Sequence, residues 1–442
     1  MNIKNILNLK KYLIILYCFS LAFNFPLLNS INNKSFFGFN LYQVINHFIS
    51  SEIFFKLTLS TILLCLILVF KFISLIYERV SFRLRIYDFI PFILFIYAAL
   101  VNKLIHNYSF QDNYFTSFGL NSFFILILIN EFRLSQSLRN LSIFAFLSSC
   151  LACVFLSIGS LFTDSFLIDY GLSRASLLSW NAGEYAFLLA FAYTFLVIIL
   201  TNLKLKDKYF YLIGIVSFTC ITKVIYDTGS RSAFYFLVFI NIIILYSILI
   251  KRYGIDLRLK RLKLLLITTL AFIIPAINNK ILVYRNPFLL RISQAFVEKA
   301  PELKTKKLEF SEENFLELGG RLERWKNTVE LIKENLLWGN GFERISQPHN
   351  FFLEVFIVGG IIAFMILMIY VIYLFYFQLN YYLISGRDNL LMYGFFLLVC
   401  FNTTNIIHIK FVWFALAIFL STPFNYKMAT PKIKNSQTTL GL

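Results

Sequence analysis

Apolar residues in this chain come in unbroken blocks of about twenty, the length a helix needs to cross a hydrocarbon core ~30 Å thick. The blocks lack the every-second-residue alternation of a strand, so they predict helices whose backbone groups are satisfied internally. About twelve spans are predicted on this basis, near 12–30, 52–75, 87–102, 118–132, 141–162, 183–201, 209–227, 232–250, 264–279, 350–376, 390–407 and 411–424. One interval breaks the rhythm. From Gly320 to Gly360 the chain reads GRLERWKNTVELIKENLLWGNGFERISQPHNFFLEVFIVGG, a charged stretch wedged between apolar runs. Within it Leu322, Trp325, Val329, Ile332 and Leu336 recur at three- and four-residue steps, while Glu323, Lys326, Asn327, Glu330 and Lys333 take the other side. That spacing predicts an amphipathic helix starting at Arg321, its apolar stripe packed on the membrane domain. Gly319-Gly320 precede this helix, and Gly339-Asn340-Gly341 form its C-terminal stop.

The distribution of cations orients the spans. With the N-terminus in the cytoplasm, Lys10, Lys11, Lys71, Arg83, Arg133, Lys204, Lys206 and the basic 251–263 run fall inside. The short outer loops hold Lys34, Lys103, Arg174, Arg231 and Lys410. This asymmetry is the positive-inside pattern and puts both termini in the cytoplasm. Four regions result: spans one to nine over 1–279, a large extracytoplasmic loop over 280–349, spans ten to twelve over 350–424, and a polar cytoplasmic tail over 425–442. No small-residue cleavage site follows the first apolar run, which is read as an uncleaved span.

Composition supports the class. Hydrophobic residues make up 59% and charged residues 14%, against about 25% charged in soluble domains. Scarce glycine (17) and proline (8) argue against a barrel with many turns. The net charge of +18 is mostly the inside bias and needs no nucleic-acid partner; the 251–263 stretch is read as a contact with anionic membrane lipids. All six cysteines lie in apolar runs, leaving no disulfide framework or thiolate metal site. The expected fold class is therefore an all-α polytopic membrane protein with one large outer loop.

The polar residues that carry chemistry collect beside that loop. Pro348-His349-Asn350 stands where an apolar run begins. Asn350 is a good N-cap for a helix from Phe351, and Pro348 stops the preceding loop. His349 is thereby held at the mouth of a helix N-terminus, whose free amides and dipole favour anions. A neutral imidazole there could take a proton from a hydroxyl near neutral pH. His47 and His106 sit in short outer loops without supporting patterns and are read as histidines simply hydrogen-bonded at the interface. Asp227-Thr228-Gly229-Ser230-Arg231-Ser232 joins two spans by a turn so tight that Arg231 must sit at the membrane edge, where a cation persists best with an anionic partner. Lys223, four residues before Asp227, is read as its structural ion-pair partner. Arg174 lies in the outer loop before the span at Gly183, with Asn181 and Glu184 at that span's start. Arg321 and Arg324 share a face in the first turn of the loop helix. Glu354, about one turn beyond Asn350, could orient His349 or be a plain interfacial carboxylate.

In this order, the segments resemble the O-antigen ligase and O-antigen polymerase superfamily. Arg174 with Asn181 is similar to the family's arginine before an asparagine-containing span start. Thr228-Gly229-Ser230-Arg231-Ser232 resembles its Ser/Thr-Arg turn. Gly320-Arg321, Trp325 and Gly339-Asn340-Gly341 resemble its loop helix. His349-Asn350 with Leu353 and Gly359-Gly360 resembles its histidine-asparagine element. The resemblance covers roughly residues 150–375. It implies a GT-C-like membrane glycosyltransferase at the periplasmic face of the bacterial inner membrane, using an undecaprenyl-diphosphate-linked glycan as donor. Under this resemblance Arg231 and Arg321, with Arg174 as a further candidate, hold the diphosphate, and His349 is the base. Arg324 joins the arginines by helix spacing, and Asn350, Glu354 and Asn181 support them. The implied chemistry is metal-independent and needs no cofactor; the first outer loop, INNKSFFGFN, has no acidic pair. The acceptor is another lipid-linked glycan repeat in a polymerase or the lipid A-core in a ligase, with other glycan-export proteins as further partners. The short Phe342–Pro348 link departs from ligases with a longer insertion there and favours the polymerase. The competing class is a transporter or flippase, which should show matched halves and polar pairs near mid-bilayer.

Overall fold

The apolar blocks fold as helices, described by a computed structural model for residues 3–22, 59–77, 83–106, 113–158, 163–167, 173–177, 182–202, 207–228, 230–250, 255–278, 321–341, 350–385 and 410–421. The predicted span 390–407, residues 280–320 of the large loop, the Phe342–His349 link and the 425–442 tail lie outside the described residues. The helices are α1 Ile3–Ser20, α2 Leu59–Tyr77, α3 Ile90–Leu100, α4 Asn113–Leu134, α5 Gln136–Ile158, α6 Ala182–Asn202, α7 Asp207–Asp227 and α8 Arg231–Ile250. They continue with α9 Ile255–Asn278, α10 Arg321–Glu334, α11 Phe351–Ser385 and α12 Lys410–Ser421. A 3-10 turn at Ile86–Phe89 leads into α3, and a π turn at Val101–Ile105 extends it.

Among the described residues five helical stretches are long and apolar enough to cross a bilayer: Ile86–Ile105, Gln136–Phe155, Gly183–Thr201, Tyr209–Asp227 and Phe351–Tyr376. Leu66, Phe72, Phe144, Ile242, Ile369 and Ile372 are exposed on these and neighbouring helices, as expected where lipid rather than water is the solvent. The chain is thus a multi-pass membrane protein. One feature departs from the all-helical expectation. Strands β1 (Thr163–Leu167) and β2 (Ser173–Leu177) pair antiparallel, with Phe166 opposite Arg174. Alternation too short to stand out beside the long apolar runs hides this hairpin in the sequence.

At the centre lies α6, whose Tyr185–Val197 stretch is buried along its whole length. It meets α5 and α12 through aromatic rings, Phe146 with Phe191 at 5.1 Å and Phe146 with Phe414 at 5.3 Å between centroids. Although only 12 residues long, α12 is buried from Phe411 to Ser421. Some interior hydroxyls turn back on their own helices, as Thr194 does to the Ala190 carbonyl (2.9 Å), and Thr268 of α9 reaches Asn241 of α8 (2.7 Å), so these side chains are satisfied without water.

The connections α6–α7, α7–α8 and α8–α9 are only a few residues long, and helices joined this way run antiparallel. The bundle consequently has two distinct ends. One buries an ionic network: Glu131 at the end of α4 receives Lys10 of α1 (3.1 Å) and Lys71 of α2 (2.6 Å), every side chain nearly excluded from solvent. Beside it Arg133 binds Asp88 (2.5 and 2.9 Å) and the Leu420 carbonyl of α12 (2.7 Å). These cations are among those the charge pattern predicts to lie inside. The opposite end carries the β-hairpin, the α7–α8 turn and the start of α11.

Candidate functional site

The α7–α8 turn is built by hydroxyls. Thr228 donates to the Ile225 carbonyl (2.6 Å) and accepts the Ser230 amide (3.2 Å). The Ser230 hydroxyl then accepts the Ala233 amide (3.4 Å), capping α8 so that Arg231 is its first residue. Asp227 pairs with Lys223 at 2.8 Å, the i,i+4 pairing the sequence predicts. Arg174 lies in β2, which packs on α5, α6 and α7. Arg321 and Arg324 occupy the first turn of α10. Connectivity therefore brings the backbones of Arg174, Arg231 and Asn350 to one end of the bundle. The side chains of Arg174, Arg231, Arg321 and Arg324, and all of Asn181 and His349, lie outside the described residues.

The stripe predicted for α10 is only partly the buried one. Ile332 is buried and Trp325 half-buried, but Thr328 is fully buried while Val329 and Leu336 are exposed. The helix is rotated relative to the apolar stripe because its position is set at its C-terminal end. There α10 gives way to a turn, and Gly339 and Gly341 take left-handed φ values of 79° and 74°. The buried side chain of Asn340 donates to the Leu331 carbonyl (2.5 Å) and accepts from Asn335 (2.9 Å).

This segment plugs a break in α11. At Gly360 the backbone leaves helical geometry (φ 65°, ψ −164°), which would leave unpaired carbonyls and an amide at membrane depth. The loop supplies their partners: Asn340 N–H donates to the Ile357 carbonyl (2.5 Å), Gly341 N–H to Val358 (3.2 Å), and Ile361 N–H returns to Leu336 (2.9 Å). Non-helical backbone is tolerated in a span only when neighbouring protein satisfies it in this way. His106, at the end of the π turn after α3, holds the same loop, its Nε2 2.8 Å from the Gly339 carbonyl. A hydrogen-bonded histidine matches the expectation for His106; its partner, 233 positions away in sequence, is information only the fold supplies.

Asn350 caps α11 as predicted. Its Oδ1 accepts the amides of Phe352 (3.0 Å) and Leu353 (3.3 Å). Two of the amides expected to favour an anion are thereby already used. With those amides taken, this helix start suits a proton acceptor or a neutral hydroxyl better than a diphosphate. One turn further, Glu354 is 1% exposed, and neither carboxyl oxygen has a hydrogen-bond partner among the described residues. Glu354 is thus no plain interfacial carboxylate. Phe351 beside it lines a small apolar hollow with Pro91 and Leu94 of α3, Phe118 of α4, Tyr370 of α11 and Trp413 of α12.

Residues 215–368 match the model of a family described as O-antigen ligase. The matched segment includes the Arg231 turn, the start of α10, the glycine latch, His349, Asn350 and Glu354, and stops short of Arg174. No curated protein and no solved structure matches the chain. Over residues 215–368 the chain is therefore similar to the O-antigen ligase family.

Proposed function

We propose that this protein is an O-antigen polymerase: a metal-independent, GT-C-like glycosyltransferase that joins undecaprenyl-diphosphate-linked repeat units at the periplasmic face of the inner membrane. The observation that carries this reading is the family domain at 215–368, within which the Arg231 turn, the α10 start and the histidine-asparagine element follow in one order. Transfer breaks the bond between the donor sugar's anomeric carbon and the diphosphate oxygen, and a new glycosidic bond forms to the acceptor hydroxyl. The departing diphosphate gathers charge, which arginine guanidinium groups are suited to bind through two hydrogen bonds at once. In this reading Arg231 and Arg321 bind it, assisted by Arg174 and Arg324, and His349 removes the acceptor proton. The capped start of α11 supports His349 in facing the acceptor rather than the leaving group.

A second reading, ligation of the glycan to lipid A-core, is favoured by the family's description as O-antigen ligase; the short Phe342–Pro348 link favours the polymerase. Purified protein given a lipid-linked repeat in detergent should build a ladder of products, unaffected by chelator. His349→Ala should abolish it, and Arg231→Ala and Arg321→Ala should lose more donor use than the lysine variants. Equal activity of all variants removes these roles. In the host, deletion leaving one repeat on the core marks a lost polymerase. Bare core with accumulating lipid-linked polymer marks a lost ligase.

A further inference from the structure

Spacing along a continuous helix fixes which side chains can meet. Positions eight apart stand about 12 Å apart along the axis, at about 1.5 Å per residue. Phe356 and Phe364 have that separation in sequence, yet their rings stack with centroids at 4.9 Å. Phe351 shares one hollow with Leu367 and Tyr370, although a straight helix would part them by roughly 24 Å or more. Gly360, where the backbone leaves helical geometry, lies between the members of each set. The latch bonds agree, since Ile357 and Val358 offer the free carbonyls of a helix end and Ile361 the free amide of a helix start. Helix α3 gives the direction. Tyr97 lies against Gly359, Pro91 and Leu94 share the hollow with Leu367 and Tyr370, and Tyr87 meets Tyr373 at 5.3 Å. Residues 361–373 therefore run along α3 toward Asp88, and Phe351 lies back beside Leu367, with residues 351–359 folded against them.

The folded-back half carries a cost. Glu354 is 1% exposed, and neither carboxyl oxygen has a partner among the described residues, which is unfavourable for a group withdrawn from water. The hollow beside Phe351 leaves the tip of this half incompletely packed. Opposing these are the Phe356–Phe364 stack and the three latch bonds. We propose that residues 351–359 form a re-entrant half-helix that acts as a lid, hinged at Gly360 and held shut by the 336–341 segment. Opening lifts Phe351 from between α3, α4 and α12 and returns Glu354 to water. That opening precedes each round of transfer rests on the glycosyltransferase reading; the motion itself does not.

The test uses the full chain in lipid vesicles, treated with a water-soluble carbodiimide and a small amine, with amide formation at Glu354 read by mass spectrometry. Wild type should react slowly, Gly214→Ala at the same rate, and Gly360→Ala about tenfold faster or more. In a second protein Phe356→Cys and Phe364→Cys are joined by a short, cleavable thiol cross-linker. The link should form, block modification of Glu354 and stop glycan synthesis, and cleaving it should restore both. Failure of the 356–364 link to form in an inserted double variant overturns the fold-back. Equal modification rates in wild type and Gly360→Ala overturn the lid, and they decide alone if the double variant does not insert. A linked protein that still makes glycan removes the lid from the reaction. Modification that follows the latch, with no glycan made even by wild type, leaves the lid standing and removes the glycosyltransferase reading instead.

Discussion

Replacing Gly360 by alanine should open the latch between the outer loop and α11. At φ 65° and ψ −164° a side chain meets backbone strain of about 1–3 kcal/mol. Its Cβ would also fall 2.5 Å from the Leu337 carbonyl carbon and 2.6 Å from the Gly339 nitrogen. Both are backbone atoms, so the whole 335–341 segment must retreat. That retreat strains or breaks the bonds from Asn340 to Ile357, from Gly341 to Val358 and from Ile361 to Leu336, each worth about 1 kcal/mol net. Strain plus lost bonds comes to about 4–6 kcal/mol. At about 1.4 kcal/mol per decade, that is on the order of a thousand- to ten-thousandfold in the opening equilibrium. Hydrogen exchange read by mass spectrometry on detergent-solubilised protein measures it directly, in peptides covering 335–341 and 357–362. Gly214→Ala is the control, because its Cβ would make ordinary 3.4 Å contact with the Ile267 side chain inside α7. Wild-type exchange rates in both peptides of Gly360→Ala would refute the reasoning.

Three further outcomes follow from the packing. Glu131→Gln leaves Lys10 and Lys71 buried without their counter-charge and should cost about 3–5 kcal/mol; thermal unfolding in detergent should show it, with partial recovery when both lysines become methionine. Ile332→Ala should destabilise by about 2–5 kcal/mol while Val329→Ala stays within about 0.5 kcal/mol, and equal effects would contradict the observed rotation of α10. Asn350→Ala should lose about 1 kcal/mol of capping and speed exchange of the Phe352 and Leu353 amides, and unchanged exchange there would count against the cap.

Local signals were legible where a single segment carries its own reason. Asn350 caps α11 because a short amide side chain before an apolar run can reach the next two backbone amides, and no distant residue is needed. Gly339-Asn340-Gly341 stops α10 because glycine alone enters left-handed φ freely. The Lys223–Asp227 pair needed only helical spacing. By contrast, the β-hairpin around Arg174 was missed because its strands are short and flanked by much stronger apolar runs. The buried side of α10 was misjudged at Val329 and Leu336, since the docking of Asn340 into α11 turns the helix, and nothing in the three-four spacing reports that torque.

Hydrophobic block length by itself determined that this chain spans a membrane as helices, because hydrocarbon offers backbone groups no partner outside the helix. It also determined where α10 and α11 begin and where α10 stops, since caps and stops act over a few residues. Tertiary structure alone decided the rest: that Lys10 and Lys71 converge on Glu131, that a loop held by His106 satisfies the break at Gly360, and that Glu354 is withdrawn from water. Each of these joins groups tens to hundreds of positions apart, where the energy of pairing depends on distance and burial, and a linear pattern contains neither.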